Sequence, residues 1–219
     1  MSIVSKEYVF KTVNNKLTFI GDFEAFYKNE KDPWGQSGKD KRLKKYYNYS
    51  RNNLLNCINN LKNVSNIVEI GCGNGHVSNI IQSNTNLKVT GIDISQTAIH
   101  NAKKLYPKCK FITNNVCNSL TTHKKYNIVL LSELLWYILE DLNIVFDNIN
   151  KMLKNNGYVI FEQGFLKDQK YGKNIIDGFN GLLKYILLNH FNDYKLIKAE
   201  IVYNKYPLDN GIIILKKNN

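Results

Sequence analysis

Short apolar runs alternate along the chain with longer stretches in which apolar residues recur every three or four positions. The run Ile67, Val68, Ile70 and the segments Leu87–Ile94, Cys109–Thr113, Tyr126–Ser132 and Tyr158–Gln163 predict strands. Their near-continuous apolar character suits strands buried on both faces of a parallel sheet. Helical periodicity begins near Val77 (Ile80, Ile81) and stops at Thr85-Asn86. A second helix carries Ala98, Ile99, Ala102 and Leu105, with Ser95 as its N-cap and Pro107 as its stop. A third spans 140–153 (Leu142, Val145, Phe146, Ile149, Met152, Leu153), and Asn155-Asn156-Gly157 predicts a left-handed cap. A fourth covers 172–191 (Ile175, Ile176, Phe179, Leu182, Leu183, Ile186, Leu187). Two last strands follow, Tyr194–Tyr203 and Gly211–Lys216, joined through Pro207-Leu208-Asp209-Asn210.

Upstream, residues 1–22 mix apolar and polar positions and predict a small extension or hairpin. Phe23, Phe26 and Tyr27 share one face of a short helix, which Asp32-Pro33 ends, with Trp34 in the turn. Residues 40–62 form a longer helix with Leu43, Tyr46, Tyr47, Ser50, Leu54, Leu55, Ile58 and Leu61 on one face; Lys44, Lys45 and Arg51 cover the other. No internal repeat or linker divides the chain. It reads as a single α/β domain: residues 1–62 are an N-terminal extension, lid segment and first helix, and residues 63–219 the core.

The candidate chemistry sits where the first strand meets its helix, in Glu69-Ile-Gly71-Cys72-Gly73-Asn-Gly75-His76. Alternate glycines give a tight turn that a ligand can approach closely, and the amides of the next helical turn face that ligand. The spacing is Gly-x-Gly-x-Gly, not the Gly-x-Gly-x-x-Gly of dinucleotide binders. Glu69, just before the loop, does not suit a pyrophosphate; it suits a ligand carrying an ammonium group. Asp93 ends the second strand, where an acid of a doubly wound fold accepts from ribose hydroxyls. Ligands of such sheets lie beyond the strand ends, which selects the loops 71–76, 93–95, 114–117 and 132–137.

Composition adds a net charge of +12, from 30 Lys and Arg against 18 Asp and Glu. Such a field favours anionic partners, nucleic acid included. The lysines are scattered among many Asn and Ile rather than gathered into one stripe, which favours a solvated surface and a compositional bias of the source over a binding face. Cys57, Cys72, Cys109 and Cys117 have no metal-binding spacing and read as reduced residues of a cytoplasmic protein; no zinc is expected. No apolar run reaches about 18 residues, and the first residues lack a signal-peptide pattern. His100, His123 and His190 show no triad or metal spacing, and His76 reads as a neutral packing or hydrogen-bonding residue.

Glu69, the glycine loop and Asp93 together resemble the cofactor site of class I S-adenosylmethionine-dependent methyltransferases. That resemblance implies a Rossmann-like seven-stranded doubly wound sheet ending in a reversed hairpin, here with an N-terminal helical lid. It implies S-adenosyl-L-methionine as cofactor, held by Glu69, Gly71, Cys72, Gly73, Gly75, Asp93, Ile94, Asn115, Val116 and Ser132. Where the family usually has an acid against the adenine, this chain has Asn115, which also reads as a plain turn residue. Phe23-Glu24-x-Phe26-Tyr27, Asp32-Pro33-Trp34-Gly35, Gly91-Ile-Asp-Ile-Ser95 and Leu131-Ser-Glu-Leu-Leu-Trp-Tyr137 further resemble the nodulation protein S type of N-methyltransferase. This implies methyl transfer to N or O of a small molecule, a sugar or amino sugar; the positive charge adds an anionic or nucleotide-linked sugar to the candidates. An RNA or protein acceptor is the alternative; a scaffold role is opposed by the intact loop. Glu133 is a base, a substrate anchor or a turn cap; Tyr137, with Trp136, is substrate wall or core. Trp34 either covers the cofactor as part of a lid or packs on the helix 41–62.

Overall fold

The structure is a computed structural model that describes residues 6–118, 120, 124–203 and 208–219. It opens with a hairpin, β1 (Phe10–Val13) and β2 (Lys16–Phe19), in antiparallel register. Asn14 and Asn15, at φ 49° and 60°, make its two-residue turn, since asparagine tolerates the left-handed region that such turns require. Helix α1 (Phe23–Asn29) is capped by Asp22, whose Oδ1 accepts from the Ala25 amide at 3.0 Å. It ends before Asp32-Pro33. The Asp32 carboxylate instead accepts from the Gln36 and Ser37 amides and shapes the turn holding Trp34. Helix α2 (Lys41–Asn59) follows. Arg51 does not lie on a solvated face: it is half-buried, stands over the Tyr47 ring and donates to the Gln36 carbonyl.

The core alternates β3 (Asn66–Ile70), α3 (His76–Asn84), β4 (Lys88–Asp93), α4 (Gln96–Leu105), β5 (Lys110–Thr113), β6 (Tyr126–Ser132), α5 (Leu142–Met152) and β7 (Leu153–Leu166). Helix α6 (Gly178–Asn189) and strands β8 (Tyr194–Val202) and β9 (Leu208–Lys217) complete it. The seven strands are ordered β5-β4-β3-β6-β7-β9-β8, with β9 antiparallel to both neighbours. Side chains alternate across this sheet. Ile128 and Leu130 of β6 pack with Leu54 and Ile58 of α2 on one face; Val129 and Leu131 pack with Phe146 and Ile149 of α5 on the other. The chain leaves β3 first toward β4 and later toward β6, so the strand order reverses at β3 and opens a crevice above the strand ends.

Three boundaries differ from the sequence expectation. The helix expected over 172–191 starts at Gly178, because Gly172 and Gly178 take φ 68° and 62°. After α5 the chain turns extended at Leu153, and Asn156 (φ 59°), not Gly157, is left-handed, inside an irregular start of β7. Leu208, Asp209 and Asn210 belong to β9 rather than to a connection. Polar Asn210 is tolerated there because, fully buried, it donates to Glu162. Pro207 and His123 lie outside the described residues.

Candidate active site

A cavity of about 1700 Å³ lies above the C-terminal ends of β3, β4 and β6, roofed by the hairpin, α1 and the Trp34 turn. On its β3–β4 side the glycine loop is pinned by the backbone: the Gly71 and Cys72 amides donate to Ile92 O at 2.7 and 3.0 Å. Asp93, 7% exposed, ties this side together, with Oδ2 accepting from Gly73 N at 2.7 Å and Oδ1 from Ser95 N at 2.9 Å. Burial pushes its carboxyl up, yet each oxygen keeps a lone pair for a hydroxyl donor. Gly73 has φ 51°, and a Cβ there would stand 2.3 Å from Tyr27 Oη. Glu69 is turned beneath the loop, where Ser78 Oγ donates to it and burial raises its pKa to about 7. Cys72 is a buried thiol whose pKa burial pushes well up.

Asp93, two left-handed glycines open to the cavity and a volume of this size fit a nucleoside with a vicinal diol and a polar tail. They are the groups that would hold S-adenosylmethionine. Ile94, 47% exposed, lies on the rim, while Val116 is buried. Asn115 lines the cavity, and its Oδ1 accepts from Cys117 N at 2.9 Å, so it is also the turn residue that its position suggested. Gly75 is the one expected loop residue that does not line the cavity; it packs against Phe111 and Ala102. His76 hydrogen-bonds the Tyr106 hydroxyl at 2.7 Å, with burial lowering its pKa.

The β6 side is built from side chains. Glu133 has φ 55°, a conformation that a non-glycine residue holds only when its surroundings enforce it. Three donors do so: Tyr46 Oη, Gln163 Nε2 at 3.1 Å and the Gly164 amide at 3.0 Å. Burial, and then the neighbouring Glu162, raise the Glu133 pKa to about 8. Glu162 is buried and accepts from Ser132 Oγ at 2.7 Å and from Asn210. Tyr137 lies in a cluster of rings with Phe10, Phe19, Phe23 and Trp34, at centroid distances of 5.3–6.2 Å. Its hydroxyl pKa is pushed up by burial, so it stays protonated. Trp136 donates from Nε1 to Gly164 O and packs on Phe165.

Trp34 lines the cavity. Its Nε1 donates to Tyr27 Oη at 3.0 Å and its ring meets Phe26 and Tyr137, while its carbonyl accepts from Tyr47. The roof is anchored by Glu24, which accepts from Ser95 Oγ, Thr97 Oγ1 and Thr97 N at the start of α4. Those bonds hold its pKa down at about 2. Tyr27, Tyr46, Glu162 and Gln163 were not singled out as site residues from sequence. Tyr46 and Tyr27 were on apolar helical faces, indistinguishable there from core. Among the described residues no His, Cys, Asp or Glu cluster could hold a metal, and no helix is long and apolar enough to cross a membrane.

Residues 68–161 match the sequence model of a methyltransferase domain family. A curated relative, the putative methyltransferase 235L of Invertebrate iridescent virus 6, is 27% identical over 152 residues, covering 67% of this chain and 54% of that protein. The chain thus spans about half the length of that relative. Among solved structures, the N-methyltransferase NodS from Bradyrhizobium japonicum WM9, in complex with S-adenosyl-L-homocysteine, superposes with a TM-score of 0.69. That match covers 90% of this chain and 98% of NodS at 16% identity. Magnesium protoporphyrin IX methyltransferase (ChlM) from Synechocystis PCC 6803, with bound S-adenosylmethionine, gives 0.58, covering 81% and 83% at 15% identity. Residues 68–161 thus match a methyltransferase domain, and the strand order and solved neighbours give the chain the fold of class I S-adenosylmethionine-dependent methyltransferases, similar to that of NodS.

Proposed function

We propose that the chain methylates a nitrogen or oxygen of a small molecule, with an amino sugar as the first acceptor to try. The observation that carries this reading is Glu133, a strained carboxylate at the end of β6, with its pKa near 8 and facing the cavity. When bound, S-adenosylmethionine supplies an activated methyl group. In this reading Asp93 accepts from the ribose, Gly71 and Gly73 let the cofactor meet the backbone, and Asn115 and Val116 flank the base. Glu69 acts on the methionine end indirectly, through the loop that it supports. Ser132 orients Glu162 beneath the floor.

Chemistry on the acceptor needs alignment with the methyl group, exclusion of water and removal of one proton. The Glu133 carboxylate takes that proton from an arriving ammonium or hydroxyl. Tyr46 donates to the same carboxylate and favours its charged form. Tyr137, protonated, lines the acceptor's path together with the rings of the hairpin. Carboxylates outnumber lysines in the described lining, and the lining lysines are all exposed. This favours an amine over an anionic or nucleotide-linked sugar. The N-terminal segment then serves as the lid, with Trp34 facing inward, and residues 63–219 as the catalytic core.

A donor-dependent methyl-transfer screen over amino sugars, their N-acetylated forms, nucleotide-linked sugars and polynucleotides tests this. Transfer to free amines that N-acetylation abolishes is the expected result. Transfer confined to polynucleotides, with a steep salt dependence, would overturn it.

A further inference from the structure

Strand β8 is the edge of the sheet, and its residues 195–197, 199 and 200 are exposed. Large apolar side chains are exposed on and beside it: Leu196 and Ile197 in the strand, Leu187, Leu188 (72%) and Phe191 (69%) before its start, and Tyr203 (75%) after its end. Among the described residues this edge is unpaired, and an unpaired edge with apolar flanks is a surface for another strand. We propose that this edge pairs antiparallel with the β8 edge of a second copy, making a two-fold dimer centred on Ala199.

The register follows from symmetry and charge. Hydrogen-bonded and non-hydrogen-bonded pairs alternate along an antiparallel ladder. A two-fold axis must therefore pass where a residue meets its own copy. Centring on Lys198 or Glu200 sets like charges face to face, which is destabilising. Centring on Ile201 leaves few residues paired within the described strand, and centring on Ile197 puts the axis on the irregularity between Leu196 and Lys198. Centring on Ala199 places each Lys198 opposite the partner's Glu200. These two already form an ion pair within one chain at 2.6 Å, so the dimer would join two such pairs into a quartet of alternating sign. In the same register Ile197 comes alongside the partner's Ile201, next to the irregularity between Leu196 and Lys198. The cavity lies over other strands, so the dimer leaves it open.

Sedimentation equilibrium on the full chain tests the proposal without any need for activity. The wild type should associate to a dimer. Lys198→Glu should weaken the dimer about tenfold or more, since both cross-strand pairs become repulsive. Adding Glu200→Lys should restore it, because the charges again alternate. Ile201→Lys, a second probe of the same centre, should also dissociate it. A monomer at every concentration overturns the proposal. So does a dimer that Lys198→Glu and Ile201→Lys leave intact, or one that the double exchange fails to rescue.

Discussion

Asp93 and Gly73 are twenty residues apart in sequence and meet through a backbone amide. Tyr46 and Glu133 are 87 apart and meet side chain to side chain. The two sides of one cavity are thus held by different means. The loop side is rigid because main-chain groups and φ angles define it. The β6 side depends on a hairpin, two helices and a buried pair of carboxylates all arriving together. The first side can be read along one stretch of sequence and the second cannot, so cofactor is easier to read than acceptor.

That contrast can be broken from either side. The largest effect expected is on turnover: Glu133→Gln should lower methyl transfer by roughly 10²–10⁴-fold, the usual weight of a general base. Cofactor affinity, read by titration of the same variant, should stay unchanged. Gly73→Val comes next. Valine resists φ 51°, and its side chain would collide with Tyr27 Oη. Strain and overpacking should cost roughly 2–5 kcal/mol of stability in chemical denaturation, along with cofactor binding. The loop cannot lose this glycine and keep its shape.

Trp34→Ala sharpens the comparison from the roof. It removes the hydrogen bond to Tyr27 and the ring contact with Tyr137. Turnover should fall and cofactor binding weaken, with a stability loss near about 1 kcal/mol rather than the roughly 3–5 of a fully buried aromatic. A large stability loss with unchanged cofactor affinity would make Trp34 core and remove the lid.

A smaller effect should appear with pH. Glu69 and Glu133 have folded-state pKa values raised to about 7 and about 8, above ordinary carboxyls. Their contribution to stability is full below the unfolded value near 4.5 and is lost as pH rises through 7 to 8. The melting temperature of the ligand-free protein should therefore drift down from pH 5 to pH 8.5. Glu133→Gln should flatten the upper part of that drift.

The sequence carried the sheet because every central strand is an apolar run and Ser95, Thr85 and Pro107 punctuate the helices. Boundaries slipped where polar residues are satisfied inside. Asn210 looked like a turn residue, but Glu162 accepts from it within β9. The Gly-x-Gly-x-Gly loop and Asp93 were legible as candidates because their proposed roles depend on spacing along one stretch. Tyr46, Tyr27 and Gln163 were not, because their partners come from elsewhere in the fold and nothing local marks them. Glu133 was legible as a candidate only by its place at a strand end. Its strained backbone and three donors exist only in the folded chain.

The central claim is that the residues from Gly71 to Asp93 form the S-adenosylmethionine site. Calorimetric titration of S-adenosylmethionine and S-adenosylhomocysteine into the wild type and Asp93→Ala tests it most directly. The account expects saturable heat for both ligands with the wild type, and an affinity weaker by about 1–3 kcal/mol once the charged acceptor is gone. Absence of heat on folded wild type, or equal affinity in Asp93→Ala, would contradict it.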